Sequence, residues 1–146
     1  SADRIMQWLD EAVQSGARVL CGNHRDGNVV SPTVLENTPR HVKCYTEEIF
    51  GPVVTVESYS DLQEAIDRAN VTAYGLQAAI FTQDLRVMDA AAEQLQFGGV
   101  IINDSPMLRL DNYPYGGIKD SGLGREGVRY AMEEYTQPKV VIRRRL

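Results

Sequence analysis

The sequence predicts an α/β protein: a three-layer α/β/α sandwich with a largely parallel sheet. Three observations carry this expectation. Short apolar runs alternate with amphipathic helical segments, from Val53–Val56 through a helix to Ala78–Phe81, and through a second helix to Val100–Ile102. The links between them are short, so successive strands return side by side through right-handed crossovers. The strands are apolar at nearly every position rather than at every second one, which belongs to parallel strands covered by helices on both faces.

The elements follow in order. From Asp3, the apolar residues Ile5, Trp8, Leu9, Ala12 and Val13 recur at intervals of three and four, and Gly16 stands where a left-handed cap would close the helix. Ala17–Leu20 reads as a short strand, and the Gly/Asn/Asp-rich stretch 22–28 turns it towards a second extended run, Val29–Leu35, as a hairpin-like pair. Val53–Val56 is rich in β-branched residues. Overlapping capping boxes at Ser60 and Asp61 then open a helix on Leu62, Ala65, Ile66 and Ala69. Asp84 caps the next helix, on Leu85, Met88, Ala92 and Leu95, which Gly98-Gly99 stops. After Asn103 the chain becomes a Pro/Gly loop with five glycines between Gly116 and Gly127, followed by a helix on Val128, Ala131, Met132 and Tyr135 and a last strand, Lys139–Arg143. Such a strand either joins its own sheet or extends that of another subunit, because an unpaired edge exposes a row of backbone donors and acceptors. A homo-oligomer, dimer or tetramer, is expected.

Composition narrows the function. The chain has 146 residues, 43% hydrophobic and 24% charged, with 15 basic against 20 acidic side chains and a net charge of -5. This is an ordinary globular composition, long enough for one domain with its own core. Acidic balance argues against nucleic acid, and no apolar run approaches the roughly 18 residues of a membrane span. Two cysteines make no disulfide framework and no signal segment opens the chain, so the cytoplasm is the expected compartment. The helical pattern begins almost at Ser1, as in a chain cut from something longer.

Several constellations bear on chemistry. Gly122-Leu123-Gly124-Arg125-Glu126-Gly127 matches the dinucleotide fingerprint in letters, but a loop precedes it instead of a strand, and the chain ends before the expected ribose-binding acid. Cys21-x-x-His24 and His41-x-x-Cys44 have the paired spacing of a zinc site, yet Cys21 ends an apolar strand and both histidines fall in polar turns; no metal is expected. No serine lies in a nucleophile elbow. Glu48 and Phe50 are more informative. Two apart in an extended segment, they point to one side, where a carboxylate accepts two sugar hydroxyls and a ring packs on a flat heterocycle. The alternative is a solvated Glu48 and a core Phe50.

Four strings then carry a resemblance: Glu47-Glu48-Ile49-Phe50-Gly51-Pro52-Val53, Tyr74-Gly75-Leu76-Gln77-Ala78, Gly99-Val100-Ile101-Ile102-Asn103, and Pro114-Tyr115-Gly116-Gly117-Ile118-Lys119-Asp120-Ser121-Gly122-Leu123-Gly124-Arg125-Glu126-Gly127. In this order and spacing the chain resembles the aldehyde dehydrogenase superfamily over essentially its whole length. The resemblance implies NAD- or NADP-dependent oxidation of a small aldehyde to a carboxylic acid through a cysteine thioester. It also implies that this chain corresponds to the C-terminal part of the catalytic domain (1–138) and a terminal oligomerisation strand (139–146). The family's nucleophile lies in a Gly-Gln-x-Cys context and its general base in a Glu-Leu-Gly-Gly context. Neither string occurs here, so the chain alone is expected to be inactive. Carried over by position, Glu48 holds the nicotinamide ribose and Phe50 contacts the nicotinamide side. Glu126 resembles a supporting glutamate that relays protons behind the base, a role calling for partial burial; its alternative is to stabilise a helix N-terminus. Asn103, Arg109 and Tyr115 are assigned to the substrate tunnel. There Arg109 would meet an anionic aldehyde, and Tyr115 replaces a commoner Phe. The Ile-Ile-Asn-Asp and Pro-Tyr-Gly-Gly strings look like those of lactaldehyde or phosphonoacetaldehyde enzymes. The competing reading is a non-enzymatic assembly or binding module of the same fold.

Overall fold

In the computed structural model, which describes residues 1–145, the apolar spacing of the first segment becomes helix α1 (Ala2–Gln14). Its inward stripe is Ile5, Leu9 and Ala12, with Leu9 and Ala12 fully buried, and Gly16 beyond it takes φ +111°. β1 (Arg18–Cys21) follows, then a small hairpin of β2 (Arg25–Asp26) and β3 (Val29–Val30). β4 (Thr33–Glu36) lies antiparallel to β1, with Arg18 opposite Glu36 and Val19 opposite Leu35. The single expected run Val29–Leu35 is therefore split in two. Pro32 has no N–H to give a ladder, and Ser31 turns back on His24, donating its backbone N–H to the His24 carbonyl at 2.9 Å. A single-turn helix α2 (Lys43–Thr46) precedes β5 (Val53–Val56), which runs parallel to β4 with Thr33 opposite Val53. The strand order is β1-β4-β5.

These elements form one compact unit, Ser1–Ser60, whose core of Ile5, Leu9, Ala12, Ala17, Leu35 and Val42 is extended by Val19, Tyr45, Ile49 and Val53. Thr33 is buried among them, but its hydroxyl is satisfied: it accepts from Asn23 N–H and donates to the Ser31 carbonyl, both at 2.9 Å.

A second unit starts at Asp61. Of the two candidate caps, Asp61 opens α3 (Leu62–Asn70), its carboxylate accepting from Glu64 N–H at 2.9 Å. Arg68 and Glu64 pair one turn apart along that helix. β6 (Gln77–Ile80) lies parallel to β7 (Gly99–Ile102), in register from Gln77–Gly99 to Ile80–Ile102. Between them runs α4 (Leu85–Gln94), capped by Asp84 through Arg86 N–H at 2.9 Å and packed on α3 and β7. Ile66 of α3 and Ala91 of α4 are the buried apolar residues here. Gly98 is required where the chain passes the Gly116 carbonyl too closely for any Cβ. A 3-10 turn, Lys119–Ser121, and α5 (Val128–Glu134) complete the unit. Parallel strand pairs with covering helices in both units make the chain α/β, as expected.

Three expectations differ. Phe81 and Leu85 of the β6–α4 region are exposed, as are Val128 and Met132 of α5 and Tyr135 just beyond it. Lys139–Arg143, expected as a strand, lies in no ladder, and Val140, Val141 and Ile142 face solvent. A strand exists only against a partner edge, and among the described residues none adjoins this segment. Leu146, the end of the expected terminal strand 139–146, lies outside the described residues.

Replacing Leu9 by Ala should destabilise the first unit by about 2–5 kcal/mol, through lost transfer energy and a residual cavity. Leu123→Ala, at a residue that is fully exposed, should stay within about 0.5 kcal/mol of the parent. Urea unfolding followed by Trp8 fluorescence for the first variant, and by circular dichroism for the second, reads both.

Candidate functional site

In the first unit the segment from Glu47 to Pro52 crosses from α2 to β5. Glu47 is extended at φ -115°, ψ 157°, and Ile49 turns inward onto the core. Glu48 and Phe50 face solvent, with Phe50 76% exposed, which rules out the core reading of that ring. The backbone is not extended throughout, however. Phe50 adopts φ +46°, a left-handed conformation that bulky residues rarely take. Gly51 and Pro52 then close a turn, Val53 N–H donating to the Gly51 carbonyl at 2.8 Å, while the Pro52 carbonyl accepts from Thr33 N–H at 2.8 Å. Arg4 of α1 donates from Nη2 to the Ile49 carbonyl at 2.7 Å. The result is a carboxylate able to accept two hydroxyl hydrogen bonds and an aromatic face open to a flat ring.

In the second unit the structure brings together Arg109, Tyr115 and Glu126. Tyr115 and Glu126 form an isolated antiparallel bridge, Tyr115 N–H donating to the Glu126 carbonyl at 3.1 Å and Glu126 N–H to the Tyr115 carbonyl at 2.6 Å. Across this bridge the Arg109 guanidinium lies 4.6 Å over the Tyr115 ring centroid and donates from Nη2 to Glu126 Oε2 at 2.7 Å. The Glu126 side chain is 64% exposed rather than partly buried. It makes no cap hydrogen bond to the start of α5, where Gly127 is the cap; its carboxylate is turned to Arg109 instead. Asn103, at φ +60°, is engaged elsewhere: its Oδ1 accepts from Thr82 N–H at 2.8 Å, which ties the end of β7 to the link after β6.

The glycine-rich loop is held by residues that sequence reasoning missed. Lys119 donates from Nζ to the Asn70 and Thr72 carbonyls at 2.8 and 3.1 Å, at the end of α3. Ser121 Oγ accepts from Gly75 N–H at 2.9 Å, and Arg125 Nη1 donates to the Gly117 and Gly124 carbonyls at 3.0 and 2.7 Å. These partners, except those of Arg125, lie 46 to 49 residues away in sequence, beyond the reach of any local periodicity. Gly122, Gly124 and Gly127 all have positive φ and let the loop turn beneath this clamp. The dinucleotide fingerprint in these letters follows a 3-10 turn and not a strand, so its phosphate-binding geometry is absent.

The paired Cys and His residues do not converge: among the described residues no group of three or more His, Cys, Asp or Glu is placed to hold a metal ion. Cys21 is exposed on β1. Cys44, on α2, is half-buried, and burial together with the nearby Glu11 carboxylate pushes its thiol above the usual cysteine range.

Comparison with known proteins places this geometry in context. Residues 1–141 match the aldehyde dehydrogenase family. A 3-sulfolactaldehyde dehydrogenase from Priestia aryabhattai is 42% identical over 141 residues, covering 97% of this chain and 30% of its own length. The crystal structure of aldehyde dehydrogenase 21 from Physcomitrella patens, in complex with the reaction product succinate, superposes with a TM-score of 0.89 at 51% identity, over 91% of this chain and 28% of that one. The glyceraldehyde-3-phosphate dehydrogenase from Methanocaldococcus jannaschii, complexed with NADP, gives 0.85 at 46% identity, over 91% and 29%. The chain spans about 30% of the length of the relatives it matches.

The two thiols provide a check on the placement of α2 and β1. Cys21 should be alkylated by iodoacetamide first, while Cys44, whose thiolate forms only at higher pH and behind partial burial, should follow with a rate that climbs later in a pH series. Peptide mass spectrometry separates the two sites, and equal rates across the series would contradict the placement.

Proposed function

The chain belongs to the aldehyde dehydrogenase family, and from that membership we propose that it forms part of an NAD- or NADP-dependent enzyme that oxidises an anionic aldehyde to its carboxylic acid. The observation that carries the anionic class is Arg109, whose guanidinium is fixed against the Tyr115 face and the Glu126 carboxylate yet stays half-exposed. The three relatives described above are named for a sulfonated aldehyde, a product with a second carboxylate and a phosphorylated aldehyde. What these share is a fixed negative charge at the end of the molecule away from the reacting carbonyl, which a planar guanidinium meets with paired N–H donors.

A bound nicotinamide dinucleotide supplies the hydride acceptor. Glu48 and Phe50 fit the nicotinamide end of such a group: an exposed carboxylate accepts two ribose hydroxyls, and an exposed ring covers one face of the heterocycle. Tyr115 lines the aldehyde's path with Arg109, while Asn103, accepting from Thr82 N–H, holds the start of the loop that carries them. Glu126 holds Arg109 in place through its Oε2. The nucleophilic cysteine and that base are assigned to residues outside this sequence, because it contains neither a Gly-Gln-x-Cys nor a Glu-Leu-Gly-Gly string.

Residues 1–138 serve in this reading as the later part of the catalytic domain, and 139–146 pair with a second copy of the protein, whose edge would cover the exposed Val140, Val141 and Ile142. Two free thiols suit a reducing, cytoplasmic setting.

Two outcomes test the proposal. The 146-residue chain alone should form no reduced dinucleotide from any aldehyde; turnover that survives repurification overturns the division of labour. In the enzyme that contains the chain, Arg109→Leu should raise KM for a carboxylate-bearing aldehyde by roughly ten- to a hundredfold, about 1.5–3 kcal/mol for a lost charge-assisted contact, and leave propanal unaffected. An equal loss for both substrates would remove Arg109 from anion recognition.

A further inference from the structure

We propose that Arg4 of α1 is a positioning residue for the dinucleotide site, holding the Ile49 carbonyl so that Glu48 and Phe50 on either side of it face the cofactor. The inference rests on the assignment of Glu48 and Phe50 to the nicotinamide end, and adds a residue that neither the motif nor its neighbours contain. Arg4 touches no part of a cofactor itself. It acts through the backbone of the segment that does.

Four observations converge on this role. The Nη2 of Arg4 donates to the Ile49 carbonyl at 2.7 Å across 45 residues, from a half-buried position. The guanidinium is itself immobilised, lying 4.7 Å over the ring centroid of Trp8, one turn further along the same helix. The next residue, Ile5, packs against the segment at Gly51: a Cβ added there would stand 2.5 Å from Ile5 Cδ1, so a larger residue would push that side-chain end aside. Consecutive residues of one helix thus fix Ile49 and Gly51, the two neighbours of Phe50. Between those two anchors Phe50 holds φ +46°. A bulky side chain stays in that region only where its surroundings over-determine the backbone, and here the surroundings are Arg4 and Ile5.

The position of Arg4 argues in the same direction. It lies in the first turn of α1, where the helix dipole favours acids over bases, and Asp3 beside it is the residue that suits that end. Helix stability therefore does not account for a cation at residue 4. The carbonyl of Ile49 does. Once the segment is pinned, cofactor binding need not order it, so the cost of fixing Glu48 towards the ribose is met in the folded protein before the ligand arrives.

The test compares Arg4→Met, Arg4→Lys and Glu48→Gln with the parent in the full-length enzyme that contains this chain. The readouts are the dissociation constant of reduced dinucleotide by fluorescence titration, hydrogen exchange of a peptide spanning residues 47–52 without cofactor, KM for the aldehyde, and melting temperature. Arg4→Met keeps the stem over Trp8 and removes the donors. It should weaken dinucleotide binding about tenfold and speed exchange in 47–52, with KM for the aldehyde unchanged. Arg4→Lys, which restores an N–H donor, should recover most of both effects; where Arg4→Met does not fold, a smaller loss of about threefold in Arg4→Lys, with faster exchange, carries the same conclusion. Normal binding and exchange in Arg4→Met overturn the proposal, as does a lowered melting temperature with binding unchanged, the mark of a purely structural contact. Glu48→Gln separates the two levels. If it weakens dinucleotide binding while Arg4→Met does not, the positioning role fails alone; if Glu48→Gln also binds normally, the cofactor assignment fails and this role with it.

Discussion

Parallel pairing is the constraint from which the site follows. Two parallel strands cannot be joined by a tight turn, so each pair needs a crossover, and the crossover is where side chains are free to leave the core. In the first unit β4 and β5 are locked in register from Thr33–Val53 to Glu36–Val56, and the chain between Glu36 and Val53 has to cross back from the end of β4 to the opposite end of the sheet, where β5 starts. Near the end of that return, just before the Gly51-Pro52 turn, stand Glu48, Ile49 and Phe50. Their place is set by the register itself, because the Pro52 carbonyl accepts from Thr33 N–H at 2.8 Å immediately before the ladder begins. In the second unit β6 and β7 do the same, and Asn103 marks the point where β7 gives way to the loop that carries Arg109 and Tyr115.

The two units are held together internally by different means. The first has a contiguous apolar core, with Leu9, Ala12, Leu35 and Val42 all fully buried, while its ion pairs, Arg18 with Glu36 and Arg25 with Asp3, lie at the surface, where such contacts add little. The second buries few apolar side chains completely and relies more on directed hydrogen bonds. Lys119, Ser121 and Arg125 tie the glycine-rich loop to α3, to the approach of β6 and to itself. A loop with this many positive-φ glycines has a large conformational entropy to lose, and these bonds are what give it one conformation.

Legibility in the sequence divides along the same line between local and distant causes. The starts of α3 and α4 were readable to within a residue, since Asp61 and Asp84 act through N–H groups only two or three positions away, while the single-turn α2 went unseen. Strands β5, β6 and β7 follow their apolar runs to within a residue. The outward pair Glu48 and Phe50 was also legible, although by a different backbone path than alternation supposes: Phe50 takes a left-handed turn, and its neighbours Ile49 and Gly51 meet Arg4 and Ile5, more than 40 residues earlier. The partner of Glu126 was hidden for the same reason. Its neighbours in sequence point to a helix start, whereas the Tyr115–Glu126 bridge delivers it to Arg109.

That last arrangement explains why an arginine and not a lysine suits position 109. In the role proposed for it, the group lies flat on the Tyr115 ring, gives one donor to Glu126 and still presents an edge to an incoming anion. A guanidinium does all three at once, because its five N–H groups lie in one plane with donors on separate edges, and only Nη2 is engaged by Glu126. An ammonium has no flat face to stack and would have to choose between the carboxylate already present and the one arriving. Glu126 also sets the geometry of the interaction. By engaging Nη2 it fixes the direction of the free edge of the guanidinium, which is the edge that the proposed function offers to an anionic aldehyde.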